Sequence, residues 1–169
     1  LATLLFDLLT VDEEREDELT AQWRFDMDLL AERLIHVTDW SQVFPEALGL
    51  PVGLFGSSTG AAAAMMVAAE RPELIRAVVS RGGRLDLGER QLGRVQAPSL
   101  LIVGECDEEA VAINERALRR LSGERRLVVI PGATHLFEEI GALEQVSRHA
   151  AEWLVRYLAQ PEAAAPAQE

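Results

Sequence analysis

The 169-residue chain contains no lysine; all sixteen of its basic residues are arginine, set against 28 acids for a net charge of −12. The absence of lysine excludes a Walker-type phosphate loop and a Schiff-base nucleophile. So strong an acidic balance speaks against nucleic acid and against anionic membrane surfaces as partners, because both reward arginine and lysine. Cysteine is almost absent too. Cys106 stands alone, so no internal disulfide can form, and no Cys/His cluster has zinc-ligand spacing. No apolar run reaches the length of a membrane span and the first residues carry no signal-peptide pattern, so the expected location is the cytoplasm. No cofactor or metal is expected. Apolar residues make up 49% of the chain and charged residues 26%, which is ordinary for one globular domain with one core.

Against that background one pentapeptide stands out. Gly56-Ser57-Ser58-Thr59-Gly60 lies between a short apolar run, Val52 to Phe55, and an alanine-rich helical run, Ala61 to Ala69. A Gly-x-Ser-x-Gly sequence between a strand and a helix places its middle serine on a sharp turn, with the hydroxyl raised above the sheet. The two glycines are expected to remove side chains where strand and helix backbones crowd. Ser58 is therefore the candidate nucleophile, and the backbone N–H of Thr59 a candidate oxyanion donor.

Two partners follow in the chain. Ser99 to Gly104 reads as a buried strand introduced by Pro98, and Asp107 lies just beyond its carboxyl end. Leu127 to Ile130 reads as another, followed by Pro131-Gly132-Ala133-Thr134 and His135. Functional groups of open α/β sheets gather outside the carboxyl ends of the strands, and Ser58, Asp107 and His135 all meet that condition. For the acid, Glu105, Glu108 and Glu109 are close neighbours of Asp107, and Asp86, after the preceding strand, is an alternative placement. An ordinary turn serine and a helix-capping histidine are the bland readings of Ser58 and His135. The other histidines, His36 and His149, fall inside helical patterns.

The remaining elements alternate. A strand is expected at Ala2 to Leu9, then an acidic run, Asp12 to Glu18, as a solvated loop or helix entry. Met27, Leu30, Leu34 and Val37 recur at helical spacing, with Phe25, Leu29 and Ile35 widening the apolar face. Trp40 and Phe44 are expected to continue the packing onto the sheet. Helices are expected from Thr59 to about Glu70, Glu109 to Leu121 and Ala142 to Leu158, and strands at Ala77 to Ser80, Ser99 to Val103 and Arg126 to Ile130. Arg81 to Gln96 shows little apolar periodicity and is too short for a lid domain. Residues 1–159 form one expected domain, and 160–169, rich in Pro, Ala and Glu, an expected disordered tail. The fold class is α/β, a mostly parallel sheet covered by helices on both faces.

The segments Leu4 to Thr10, Gly56 to Gly60, Val78 to Gly83, Leu101 to Gly104 with Asp107-Glu108, and Pro131 to Phe137 together resemble the dienelactone-hydrolase-like branch of the α/β-hydrolases. The order Ser, Asp, His is that superfamily's order. The resemblance implies metal-free hydrolysis of small esters or lactones, with Ser58 as nucleophile, Asp107 as acid and His135 as base; serine stands where dienelactone hydrolase itself has cysteine. Some relatives carry a phosphoribosyltransferase domain ahead of the hydrolase part, which these residues do not contain. By the same resemblance the strands match the fourth to eighth of the family's sheet. The chain then reads as N-terminally truncated, without the third strand and without the loop that supplies half of the oxyanion hole. Two expectations follow: self-association into a homo-oligomer to cover the exposed apolar surface, and, as the alternative function, a weak or inactive hydrolase remnant serving as an interaction module or as part of a longer chain. A thiol enzyme built on Cys106 is a third reading, which the lack of an elbow before Cys106 disfavours. Arg81, at the carboxyl end of a strand, is a candidate for binding a substrate carboxylate, against a structural ion pair with one of the many acids.

Overall fold

A computed structural model describes residues 1–159; the expected tail at 160–169 lies outside the described residues. Among the described residues four strands form one parallel sheet in the order β1 (Val52–Ser57), β2 (Ile75–Arg81), β3 (Ser99–Gly104), β4 (Arg125–Ile130). Spatial order equals chain order, so every crossover joins neighbours. The strands alternate in the face they serve. Val78 and Leu101 join the core formed with Leu30 and Leu34 and with the helical residues Ala64, Val67 and Ile113, whereas Ala77, Val79, Leu100 and Ile102 join Val146, Ala150 and Trp153. Burial on both faces explains why β3 is apolar almost without interruption and buried at all six positions.

The helices divide accordingly. On the first face lie α2 (Met27–Ser41), α3 (Thr59–Glu70) and α4 (Glu108–Arg120); on the second lies α5 (Ala142–Leu158). Residues 61 to 69 of α3 are buried all round; six of the nine are alanines, which lets the helix press between the sheet and α2, and Met65, Met66 and Val67 fill the remaining space. The stripe Ala110, Ile113, Ala117, Leu121 is buried throughout, as its spacing predicts. Along α5 the apolar stripe that helical spacing predicts is Leu143, Val146, Ala150, Trp153 and Tyr157; Val146, Ala150 and Trp153 are buried and Tyr157 partly so, while Leu143 is exposed.

Three expectations fail. Ala2 to Leu9 is not a strand: the segment has no regular structure, and Leu1, Leu4, Leu5 and Phe6 are exposed, Leu5 to 92%. A strand needs a neighbour to accept and donate its backbone hydrogen bonds, and β1 to β4 pair only with one another. The segment is instead tied down near its end, where the Leu8 carbonyl accepts from Arg33 at 2.7 Å. Trp40 and Phe44 do not reach the sheet; they stack on each other at 4.5 Å and stay 46% and 37% exposed. Phe25, too, is exposed rather than part of the α2 face. The stretch after β2 is better packed than its composition suggests. Two 3₁₀ turns, Leu85–Gly88 and Leu92–Arg94, sink Leu85, Leu92 and Val95 into the first core.

The acidic run forms α1 (Val11–Thr20), opened by a reciprocal capping box in which Glu13 N–H donates to Thr10 Oγ1 and Thr10 N–H to the Glu13 carboxylate. Arg33 on α2 grips both oxygens of Glu13 at 2.6 Å, and this contact, with the cap, lowers the Glu13 carboxyl to about 2.

Candidate active site

Ser58 sits between β1 and α3 with φ 52° and ψ −119°, a conformation a non-glycine residue holds only when its surroundings enforce it. They do so here through the backbone. Ser58 N–H donates to the Arg81 carbonyl at 3.0 Å, and the Ser58 carbonyl accepts from Ala61 N–H at 3.2 Å and Arg84 N–H at 3.1 Å. The end of β2 and the loop after it thus pin the elbow. The two glycines have unequal roles. A side chain at Gly56 would meet the Ala61 Cα at 2.6 Å and the Gly60 backbone closer still, whereas at Gly60 only Leu8 Cδ1 lies near, at 4.0 Å. Gly56 is thus the residue that lets strand and helix approach; the sequence expectation of crowding at Gly60 is not met. The Thr59 N–H, at the start of α3, has no backbone acceptor among the described residues, as is usual for first-turn donors.

Asp107 and His135 come together although 28 positions separate them. Asp107 Oδ2 lies 2.6 Å from His135 Nδ1, and Asp107 Oδ1 accepts from Ala110 N–H at 3.1 Å as the N-cap of α4. One carboxylate therefore starts a helix and orients an imidazole. The Asp107 side chain is 16% exposed and that of His135 43%. The ring rests against Gly82: a side chain there would stand 3.3 Å from Cε1 and 3.4 Å from Nδ1, and Gly82 itself has φ +54°. Gly82 adjoins Arg81, whose carbonyl holds Ser58, so imidazole and serine share one end of the sheet. Among the described residues the Ser58 hydroxyl makes no hydrogen bond to the ring. The Gly82-Gly83 pair closing a strand was the one sequence signal for this seat.

Asp86, the alternative acid, is occupied elsewhere. Arg84 binds its two oxygens at 3.0 and 2.9 Å and holds its carboxyl below the usual range. Arg81 Nε donates to Ser57 Oγ at 3.0 Å, and its guanidinium stands 5.9 Å from the Phe137 ring centre. Among the described residues it forms no ion pair, so the structural pairing with an acid is not what holds it. Cys106 is exposed. Among the described residues no group of three His, Cys, Asp or Glu is arranged to hold a metal, and no helix is long and apolar enough to cross a membrane.

No protein-family model matches the chain. A crystal structure of dienelactone hydrolase from Anabaena variabilis superposes with a TM-score of 0.86 at 54% identity, over 90% of this chain and 70% of that one. A monoacylglycerol lipase from Paleococcus ferrophilus superposes at 0.62 with 21% identity, over 75% and 76% of the two chains, a likeness of fold. Two proteins of Mycobacterium tuberculosis, strains CDC 1551 / Oshkosh and H37Rv, provisionally named phosphoribosyl transferases, are 52% identical over 160 residues. That alignment takes in 95% of this chain, which spans only 35% of the length of those relatives.

Proposed function

Because this chain belongs to the α/β-hydrolase superfamily, in its dienelactone-hydrolase-like branch, we propose that it hydrolyses small carboxylic esters or lactones through Ser58, His135 and Asp107. The observation that carries the reading is the 2.6 Å contact between His135 Nδ1 and the Asp107 carboxylate, with the imidazole seated on Gly82 beside the strained serine. With Nδ1–H donating to Asp107, Nε2 is left as the acceptor. It takes the Ser58 proton as Oγ attacks the carbonyl carbon, and Asp107 stabilises the imidazolium that results. The Thr59 N–H stabilises the oxyanion. Collapse of the tetrahedral species breaks the ester C–O bond, and the imidazolium returns its proton to the departing alkoxide. Water, deprotonated by His135, then attacks the acyl-serine and restores Ser58.

Arg81 is proposed to bind a substrate carboxylate. Among the described residues its guanidinium makes one hydrogen bond, from Nε to Ser57 Oγ, which leaves further N–H donors for a planar anion. No lid covers the site among the described residues, which favours small substrates. The exposed apolar residues Leu1, Leu4, Leu5 and Phe55 support the proposal that this chain self-associates, and its single thiol suits a reducing compartment such as the cytoplasm. The transferase name belongs to proteins of which this chain spans 35%, and phosphoribosyl transfer is not proposed for these residues.

A second reading, a weak or silent hydrolase acting as an interaction module, is favoured by one observation: Thr59 is the single oxyanion donor identified, and losing one such donor costs roughly 10²–10³ in rate. Labelling with a fluorophosphonate probe and p-nitrophenyl acetate turnover separate the two. Ser58→Ala is expected to abolish both signals and Ser57→Ala to leave most of each. Full activity in Ser58→Ala would reject the nucleophile, and an unlabelled wild-type chain would favour the module.

A further inference from the structure

His135 occupies an exposed segment, and its ring relies on Asp107 for its side-chain hydrogen bond. An imidazole that must face both a carboxylate and a serine needs its backbone held. The neighbouring residue supplies a grip. Thr134 donates twice to the carboxylate of Glu139, from its backbone N–H to Oε2 at 3.1 Å and from its hydroxyl to Oε1 at 2.6 Å. The loop between them is closed on its other side by Phe137, which takes φ 57°, donates its N–H to the Thr134 carbonyl at 3.3 Å and is 1% exposed in the second core. Glu139 is fixed in turn by the start of α5, since its carbonyl accepts from Ala142 N–H at 2.9 Å. The two Thr134 donors also hold the Glu139 carboxyl below its usual range, the hydroxyl contributing most. A second set of bonds ties the loop to the acid: Gly132 N–H donates to the Glu105 carboxylate at 2.8 Å and Cys106 N–H to the Ala133 carbonyl at 2.9 Å.

Resting on the hydrolase reading above, we propose that Glu139 is a positioning residue for His135, acting through Thr134. Helix α5 serves as the base, the Glu139 carboxylate as a two-point clamp, and His135 as the group carried at the next position. Glu105, which the sequence presents only as a competitor of Asp107, supports the same loop from the opposite side.

The side-chain chemistry separates this role from bulk stability. Thr134→Val keeps the shape and loses the hydroxyl donor, and Glu139→Ala removes the clamp. Thr134→Ser keeps both donors. Glu139→Gln keeps one acceptor for the N–H, while its amide can donate to the Thr134 oxygen. Misplacement of a reacting group by about 1 Å can cost on the order of 10²-fold. Thr134→Val and Glu139→Ala are therefore expected to lower kcat by roughly 10- to 100-fold with KM little changed, while Thr134→Ser and Glu139→Gln stay near wild type. An independent readout is the low-field proton resonance of His135 Nδ1–H donating to Asp107, assigned by its loss in His135→Gln. It should be sharp in the wild type and in the two conservative variants, and broadened by exchange with water in Thr134→Val and Glu139→Ala. An unchanged resonance in those two variants would overturn the proposal, as would its absence from the wild type. So would a fall in kcat that follows melting temperature and is not restored in Thr134→Ser. Full esterase activity in Ser58→Ala would instead reject the hydrolase reading, with the resonance still reporting on the clamp.

Discussion

Asp107 carries two jobs that substitution can pull apart. Its Oδ1 caps α4 through Ala110 N–H and its Oδ2 holds His135 Nδ1. Asparagine is as good a helix cap as aspartate, so Asp107→Asn should leave the start of α4 intact. Its amide, however, can settle the imidazole in the wrong tautomer, an effect that costs roughly 10⁴-fold in kcat in a serine protease. Asp107→Ala loses the same orientation and the cap as well. A lost cap costs about 1 kcal/mol, and in a domain of this size that lowers the melting temperature by roughly 2–4 °C. The two variants should thus be equally slow on p-nitrophenyl acetate but melt apart, with Asp107→Asn close to the wild type. Phosphonylation of Ser58 by a fluorophosphonate should slow in parallel, because it needs the same base. Wild-type turnover in Asp107→Asn would refute the assignment of the acid. Strong loss in Asp86→Asn would move the role to Asp86, despite the hold Arg84 has on it. Equal melting of the Asn and Ala variants would refute the capping half of the argument.

Three further outcomes are expected. Gly56→Ala should lower stability by about 1–3 kcal/mol, the usual range for overpacking, since the new methyl meets the Ala61 Cα at 2.6 Å, whereas Gly60→Ala should cost well under that in the same chemical denaturation series. Glu13 binds its proton less readily in the folded chain, its carboxyl lying at about 2 against the usual 4.5. Its contribution to holding α1 on α2 is therefore complete above about 4.5 and disappears as pH falls through about 2; an NMR titration of the Glu13 carboxyl should report the low midpoint, and Arg33→Ala should return it toward 4.5. For substrate charge, Arg81→Ala should raise KM selectively for an ester bearing a free carboxylate over its neutral match; an equal effect on both would assign Arg81 to supporting Ser57 and Phe137.

Much of this molecule is legible from local pattern. Apolar runs at strand length, stripes at helical spacing and the Gly-x-Ser-x-Gly turn are properties of neighbouring residues, and β1 to β4, α3, α4 and α5 lie within a residue or two of where those patterns put them. The candidate site was legible for a related reason: each of its three residues follows the carboxyl end of a strand, and in a parallel sheet those ends share one edge. What local pattern could not decide was pairing. Ala2 to Leu9 is as apolar as any strand in the chain, yet a strand exists only when paired with another, and among the described residues no strand pairs with this segment. Trp40 and Phe44 have the composition of a core, yet they stack on each other and stay outside both core clusters. Asp86 and Asp107 follow successive strands and look interchangeable. The difference is that Arg84 closes on one carboxylate and His135 on the other, and the His135 contact depends on a residue 28 positions away. Likewise Gly56 and Gly60 are equal members of one motif until the path of α3 brings the Ala61 backbone against one of them alone. Periodicity is set by the geometry of a single element, whereas the partner of a strand edge or of the Asp107 carboxylate depends on where distant chain returns, and even the near contacts of Asp86 and Gly56 depend on the path the backbone takes; only the folded structure determines these.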